Sequence, residues 1–147
     1  MLIRKMQIAD YPAVFALWQS CSGMGLNNLD DSREGITRFL ERNPDTCFVA
    51  EAEQQILGAI LTGNDGRRGY IYHTAVSPQQ QKQGIGTLLV QAALEALRKN
   101  GIHKVALVVF AHNIGGNVFW EKRGFTVRED LIYRNLALTE MVRFDTE

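Results

Sequence analysis

Apolar and polar side chains alternate over residues 2–7 closely enough to predict a first strand. Asp10 and Pro12 then stand where a helix would begin, since proline is tolerated in a first turn and a carboxylate suits the positive helix end. Val14, Leu17 and Trp18 supply that helix with an apolar face. Glycines, asparagines and aspartates crowd residues 20–31, which predicts a loop. A second helix is expected over 32–42, with Ile36, Phe39 and Leu40 turned inward. It ends before Asn43-Pro44, because the residue before a proline avoids the helical region. Two apolar runs, 47–52 and 56–63, flank Glu53-Gln54-Gln55 and predict an antiparallel hairpin.

A turn-rich stretch, 64–69, leads into a further strand over 70–76 that stops at Ser77-Pro78. Ile85, Leu88, Leu89, Ala92, Ala93 and Ala96 recur at helical spacing, and Asn100-Gly101 reads as that helix's stop. Residues 104–111 include a continuous apolar run, as in a strand covered on both faces. Asn113 can cap a short helix ending at Gly124, and 125–138 supplies one or two more strands. The order β-α-α-β-β-β-α-β-α-β, with room for a last strand, predicts a single mixed α/β domain over 1–147. Its helices cover both faces of one central sheet.

Composition narrows the class. At 147 residues, 46% apolar and 22% charged, the chain has the make-up of a globular protein able to bury a core. Sixteen basic residues balance sixteen acidic ones, which argues against non-specific nucleic-acid binding. No apolar run approaches the roughly 20 residues a bilayer span needs, and the first residues lack a signal peptide's apolar stretch. Cys21 and Cys47 show no metal-ligand spacing and are expected as reduced thiols. A cytoplasmic protein with no metal, membrane or nucleic-acid partner is the expectation.

The chemistry concentrates where the 70–76 strand, a glycine-containing loop and the long helix follow one another. That order aims unpaired backbone N–H groups and a helix dipole at one point, which suits a phosphate or pyrophosphate. Gly84 and Gly86 put no Cβ between backbone and ligand, and Gln83 and Thr87 can add side-chain hydrogen bonds. A dinucleotide fingerprint fails, because its third glycine falls at Leu89. A Walker loop fails as well, for want of Gly-Lys-Ser/Thr closing the turn.

Val76-x-Pro78-x-x-Gln81-x-x-Gly84-x-Gly86 resembles the acyl-CoA signature of the GNAT superfamily of N-acetyltransferases. A second block, Asn113-Ile-Gly-Gly-Asn-Val-Phe-Trp-Glu-Lys-Arg-Gly124-Phe125, is similar to a downstream block of the same family. The resemblance implies a mixed, mostly antiparallel sheet with a splayed parallel pair, and acetyl-CoA as co-substrate in the wedge between 70–76 and 104–111. It assigns the pyrophosphate to Lys82, Gln83, Gly84, Ile85, Gly86 and Thr87, beside Gln81 of the motif. Ala75 and Val76 would align the pantetheine arm, and a backbone N–H near them would polarise the thioester carbonyl. Asn113 is both a cofactor contact and a helix N-cap on this reading. Gly116 and Trp120 belong to the same cofactor-facing block.

The acceptor amine must attack as a free base, and some family members use a carboxylate on the 104–111 strand. Here the apolar run from Val105 to Ala111 holds nothing to titrate. His73 becomes the candidate base, because imidazole titrates near neutrality and lies on the wedge strand, with Tyr72 and Thr74 expected on the opposite face. Glu51 and Asp65 are the other candidates. Where many members carry a tyrosine that protonates the leaving thiolate, this chain has Trp120, whose indole N–H gives up no proton. Tyr133 and Tyr72 both stand as replacements. Asp30 and Asp31 either cap the next helix or attract a cationic amine.

The expected activity is transfer of acetyl from acetyl-CoA to a primary amine, directly, in a ternary complex. A small-molecule amine or a peptide or protein amine would be the acceptor, and a homodimer is left open. The alternatives are a non-catalytic acyl-CoA-binding or regulatory module, suggested by the altered acid and base positions, and a transferase of a different acyl group.

Overall fold

The alternating apolar positions become strands and the three-to-four-residue repeats become helices. A computed structural model describes residues 1–144. β1 (Leu2–Lys5) leads through a single 3-10 turn into α1 (Tyr11–Ser20), with Pro12 in its first turn. β2 (Leu26–Asn27) is short, and α2 (Arg33–Arg42) follows it. The hairpin is β3 (Phe48–Ala52) and β4 (Gln55–Asn64), turned at Glu53 and Gln54 with φ of +51° and +65°. β5 (Gly69–Val76), α3 (Ile85–Lys99), β6 (Val105–Ala106), α4 (Ile114–Lys122) and β7 (Arg143–Phe144) complete the described chain.

Ser32, immediately before α2, accepts the Gly35 N–H on its hydroxyl at 3.0 Å, a cap worth about 1 kcal/mol. The Ser32 hydroxyl therefore does the capping expected of Asp30 and Asp31.

The main sheet runs β1-β3-β4-β5-β6, antiparallel throughout except for the parallel β5–β6 pair. β2 and β7 form a separate antiparallel pair. Successive strand residues point to opposite faces, and two cores result. Val14, Leu17, Trp18, Ile36 and Leu40 from α1 and α2 pack on Cys47, Val49, Ala59 and Leu61. Ile85, Leu89, Val90 and Ala93 from α3, with Trp120 from α4, pack on Ala50, Ile60 and Ile71.

A register shift interrupts β5. Ile60 lies opposite Thr74 and Thr62 opposite Ile71, so Tyr72 and His73 together oppose Leu61. A bulge of this kind breaks the two-residue alternation. Ile71 accordingly joins the α3 core while Ala75 joins the α1–α2 core.

Two regions depart from the expectation. Residues 104–111 pair with β5 only at Val105 and Ala106, opposite Gly69 and Tyr70, and the two chains then separate. The strands expected over 125–138 are absent. Val127, Leu131, Ile132, Leu136 and Leu138 are exposed there, and an apolar pattern becomes a ladder only when another strand meets its backbone. The chain instead pairs at β7 with β2, inside the stretch expected to be only a loop.

Candidate active site

Where β5 and β6 separate, a cleft of about 1120 Å³ opens between Ile71–Val76 on one side and Leu107–Phe110 on the other. α3 closes one end of it. Its N-terminal position is Gly84, at φ +84°, a left-handed conformation that costs an L-residue about 1–2 kcal/mol. Lys82 is also left-handed, at φ +65°. No side chain caps α3, no acidic residue stands in its first turn, and Leu88 makes its first internal bond, to Gly84 O at 3.1 Å. The N–H groups ahead of Leu88 are thus left as donors beside a cationic side chain. This is the donor set a pyrophosphate needs.

The two loop glycines do different work. A Cβ on Gly84 would meet nothing within 4 Å, so only its φ demands glycine. A Cβ on Gly86 would sit 3.1 Å from the Phe119 ring, so this glycine lets α4 approach α3. Arg123, just past α4, ties the two helices further. Its guanidinium donates to the Thr87 hydroxyl, lies 3.6 Å over the Phe119 ring and donates to Phe119 O at 2.8 Å. Asn113 caps α4 by accepting the Gly116 N–H at 2.9 Å, and it lines the cleft as well. Trp120 is buried against Phe119 and Phe125 and also lines the cleft. Of the expected donor-binding residues, all but Gln83 line this space. Gln81 Nε2 and Cys21 Sγ both point at Val76 O, at 3.3 and 3.5 Å.

The surroundings of His73 are assembled from distant parts of the chain. His73 lines the cleft and presents its ring to Trp18 edge-on, with centroids 5.0 Å apart. Its Nε2 lies 2.7 Å from Asp31 Oδ1. The Asp31 side chain is only 4% exposed, and its Oδ2 accepts the Asn27 N–H at 2.8 Å. Tyr11 donates to the Asp31 carbonyl at 2.6 Å and fixes the backbone beneath it. A carboxylate accepts, so in the neutral imidazole the proton belongs on Nε2 and the lone pair on Nδ1. Asp31 is neither the helix cap nor the free anion expected for it; it orients the histidine. Nothing in the spacing marks this pair, which is separated by 42 positions.

Tyr72 does not point away from His73. The bulge turns it to the same side, where its ring meets Phe39 of α2 at 5.5 Å. Burial first, then the nearby Tyr133 and Asp30, pushes its phenol above the usual value, which makes it a reluctant acid. Tyr133 also lines the cleft but is 65% exposed. Tyr70, which no pattern singled out, packs its ring at a tilt against Tyr72 with centroids 4.6 Å apart, and burial pushes its phenol up to about 12. Glu51 is paired with Arg4 on the opposite part of the sheet, and Asp65 is engaged with the Arg67 and Arg68 N–H groups; neither lines the cleft. No helix among the described residues is long and apolar enough to cross a membrane.

Comparison with known proteins matches this geometry to one family. Residues 11–125 match the model of the acetyltransferase (GNAT) family. An acetyltransferase of Pectobacterium atrosepticum is 34% identical over 113 residues, covering 77% of this chain and 79% of that protein. One from Sodalis glossinidius is 29% identical over 140 residues, covering 95% and 97%. Among solved structures, the PaiA N-acetyltransferase of Thermoplasma acidophilum in complex with coenzyme A superposes with a TM-score of 0.77. It is 21% identical, covering 87% of this chain and 91% of that one.

Proposed function

The chain belongs to the acetyltransferase (GNAT) family, and on that premise we propose that it moves acetyl from acetyl-CoA directly to a primary amine, with His73 as the base. The observation that carries this reading is the His73–Asp31 pair at 2.7 Å, on the wall of a cleft whose end is an uncapped helix N-terminus. The N–H groups at the start of α3, with Lys82, hold the pyrophosphate of the donor, and the splayed edge of β5 aligns its arm. Acetyl-CoA supplies the thioester. Nδ1 of His73 takes the ammonium proton of the acceptor, directly or through one water, and Asp31 holds the resulting imidazolium. The amine nitrogen then bonds to the acetyl carbon, the C–S bond breaks and the sulfur leaves as thiolate, while the second proton the nitrogen must lose passes through water to that sulfur or to solvent. A thiol's ordinary pKa near 8.5 makes that departure feasible without a strong acid, so Trp120 in place of a tyrosine is tolerable. The buried, hydrogen-bonded pair also counts against a module that binds the donor without turning it over.

A thiol-release assay with acetyl-CoA and a broad panel of primary amines tests the activity, alongside calorimetry with acetyl-CoA alone. Turnover that His73→Ala abolishes, with donor binding intact, supports the reading. Donor binding with no turnover on any amine returns the protein to the non-catalytic alternative, and absence of donor binding defeats both.

A further inference from the structure

Tyr70 and Tyr72 line not only the cleft but also a second cavity of about 410 Å³, a size that suits a small ligand group. Its floor is Gly63, where a Cβ would lie 2.8 Å from Asn43 Nδ2 and 2.9 Å from Phe39 Cζ, so any side chain would force those groups aside. Most polar groups in its wall are already engaged. Asn43 donates to Phe39 O and accepts the Asn64 N–H, at 3.2 Å in each case. Asn64 accepts the Gly66 N–H at 2.9 Å. Asp65 Oδ1 accepts the N–H groups of Arg67 and Arg68 at 2.8 and 2.7 Å, which turns that carboxylate toward its own loop.

The two guanidinium groups are the exception. Arg42, from the last turn of α2, and Arg68, from the loop before β5, both line the cavity. Neither forms an ion pair with a carboxylate among the described residues; Arg68 reaches only the Arg67 carbonyl, at 3.3 Å. Two exposed guanidinium groups without a carboxylate partner among the described residues thus flank a cavity whose one lining carboxylate, Asp65, is turned to its own loop, and this cavity shares a wall with the cleft. Guanidinium groups bind carboxylate and phosphate in a planar, two-pronged manner. His73 directly follows Tyr72 in β5 and lines the cleft but not this cavity, so an acceptor that uses both would reach past the shared tyrosine wall.

We propose that the acceptor is an acidic amine, its carboxylate seated between Arg42 and Arg68 while its amino group reaches His73. The proposal deepens the transferase reading above and rests on it. It names the substrate class without deciding whether the carboxylate belongs to a free amino acid or to an acidic residue beside a peptide N-terminus.

Matched acceptors in the thiol-release assay decide it: alanine against alaninamide, and Ser-Glu-amide against Ser-Gln-amide. We expect the acidic member of at least one pair to have a kcat/KM about 10- to 100-fold higher, carried mainly by KM. The pair that shows the difference identifies the carboxylate's source. An R42Q/R68Q double variant should remove that preference and leave the neutral member's rate unchanged. Equal kcat/KM within both pairs overturns the proposal, as does a double variant that slows acidic and neutral acceptors alike. Calorimetry on the coenzyme A-loaded protein with N-acetylalanine and N-acetyl-Ser-Glu-amide separates this failure from failure of the transferase reading. If no amine turns over, binding of either acid that R42Q/R68Q abolishes still upholds the cavity. No binding, or equal binding by the variant, overturns it.

Discussion

At the N-terminus of α3 the groups that can meet an anion are mainly backbone N–H donors, with Lys82 beside them, all contributed within a few residues of Gly84. At His73 the groups that meet are side chains: an imidazole on β5, a carboxylate from the loop before α2 and an indole from α1. The first arrangement tolerates most side-chain changes, because the helix supplies the donors as long as it starts at the same residue. The second fails with one substitution, because each partner has no substitute nearby. Donor binding and acid–base chemistry should therefore be separable by mutation, the one governed by backbone conformation and the other by side-chain identity.

The largest effect expected is at His73. His73→Ala should lower kcat by about 100- to 1,000-fold, the range for loss of a general base, with the acetyl-CoA dissociation constant unchanged. A parallel loss of donor affinity, measured by calorimetry, would break the separation. Next is Gly84→Val, which forces a β-branched residue into the left-handed region at φ +84°. Donor affinity should fall by at least about tenfold, corresponding to ~1–2 kcal/mol of backbone strain, while kcat at saturating acetyl-CoA stays near that of the native protein. Equal donor affinity would mean that the loop does not hold the pyrophosphate.

Asp31→Asn should cost less than loss of the histidine, about tenfold in kcat. Asparagine can still accept the Asn27 N–H but cannot stabilise an imidazolium as a carboxylate does. The mark of a positioning role is a changed acid limb in the pH–rate profile, with KM for acetyl-CoA unmoved. An unchanged profile would reduce Asp31 to a structural residue. The smallest effect is expected at Tyr70, whose phenol burial pushes up to about 12, against a usual value near 10. A folded-state value raised above the unfolded one contributes stability that is present below about 10 and lost as pH rises toward 12. Tyr70→Phe should flatten that alkaline decline in a thermal-melt series, and an unaltered decline would place the loss elsewhere.

Much of the donor side was legible in the chain. The strand, the glycine loop and the helix lie in order, and the features that matter there are local. A proline stops the strand, a left-handed glycine starts the helix, and Asn113 caps the next one, each within a few residues of what it affects. The acceptor side was legible only as a set of isolated candidates. His73 stood out as an imidazole on the wedge strand, but Asp31 looked like a helix cap and Tyr72 seemed to point the other way. Tyr70 and Arg123 lay inside the wedge strand and the second block, but nothing in either marked them for a role.

The physical reason is range. Side-chain periodicity, caps and turn conformations depend on neighbours along the chain, so the sequence by itself determined the order of most elements, the placing of the glycine loop and the kinship of the two motif blocks. The bulge at Tyr72–His73 arises from how β4 and β5 meet, and the splay after Ala106 from how β6 leaves β5. The 2.7 Å contact between His73 and Asp31 requires α1, α2 and the sheet to be packed together first. Only the tertiary structure could decide which carboxylate answers the histidine, and which side chains share the cleft with it.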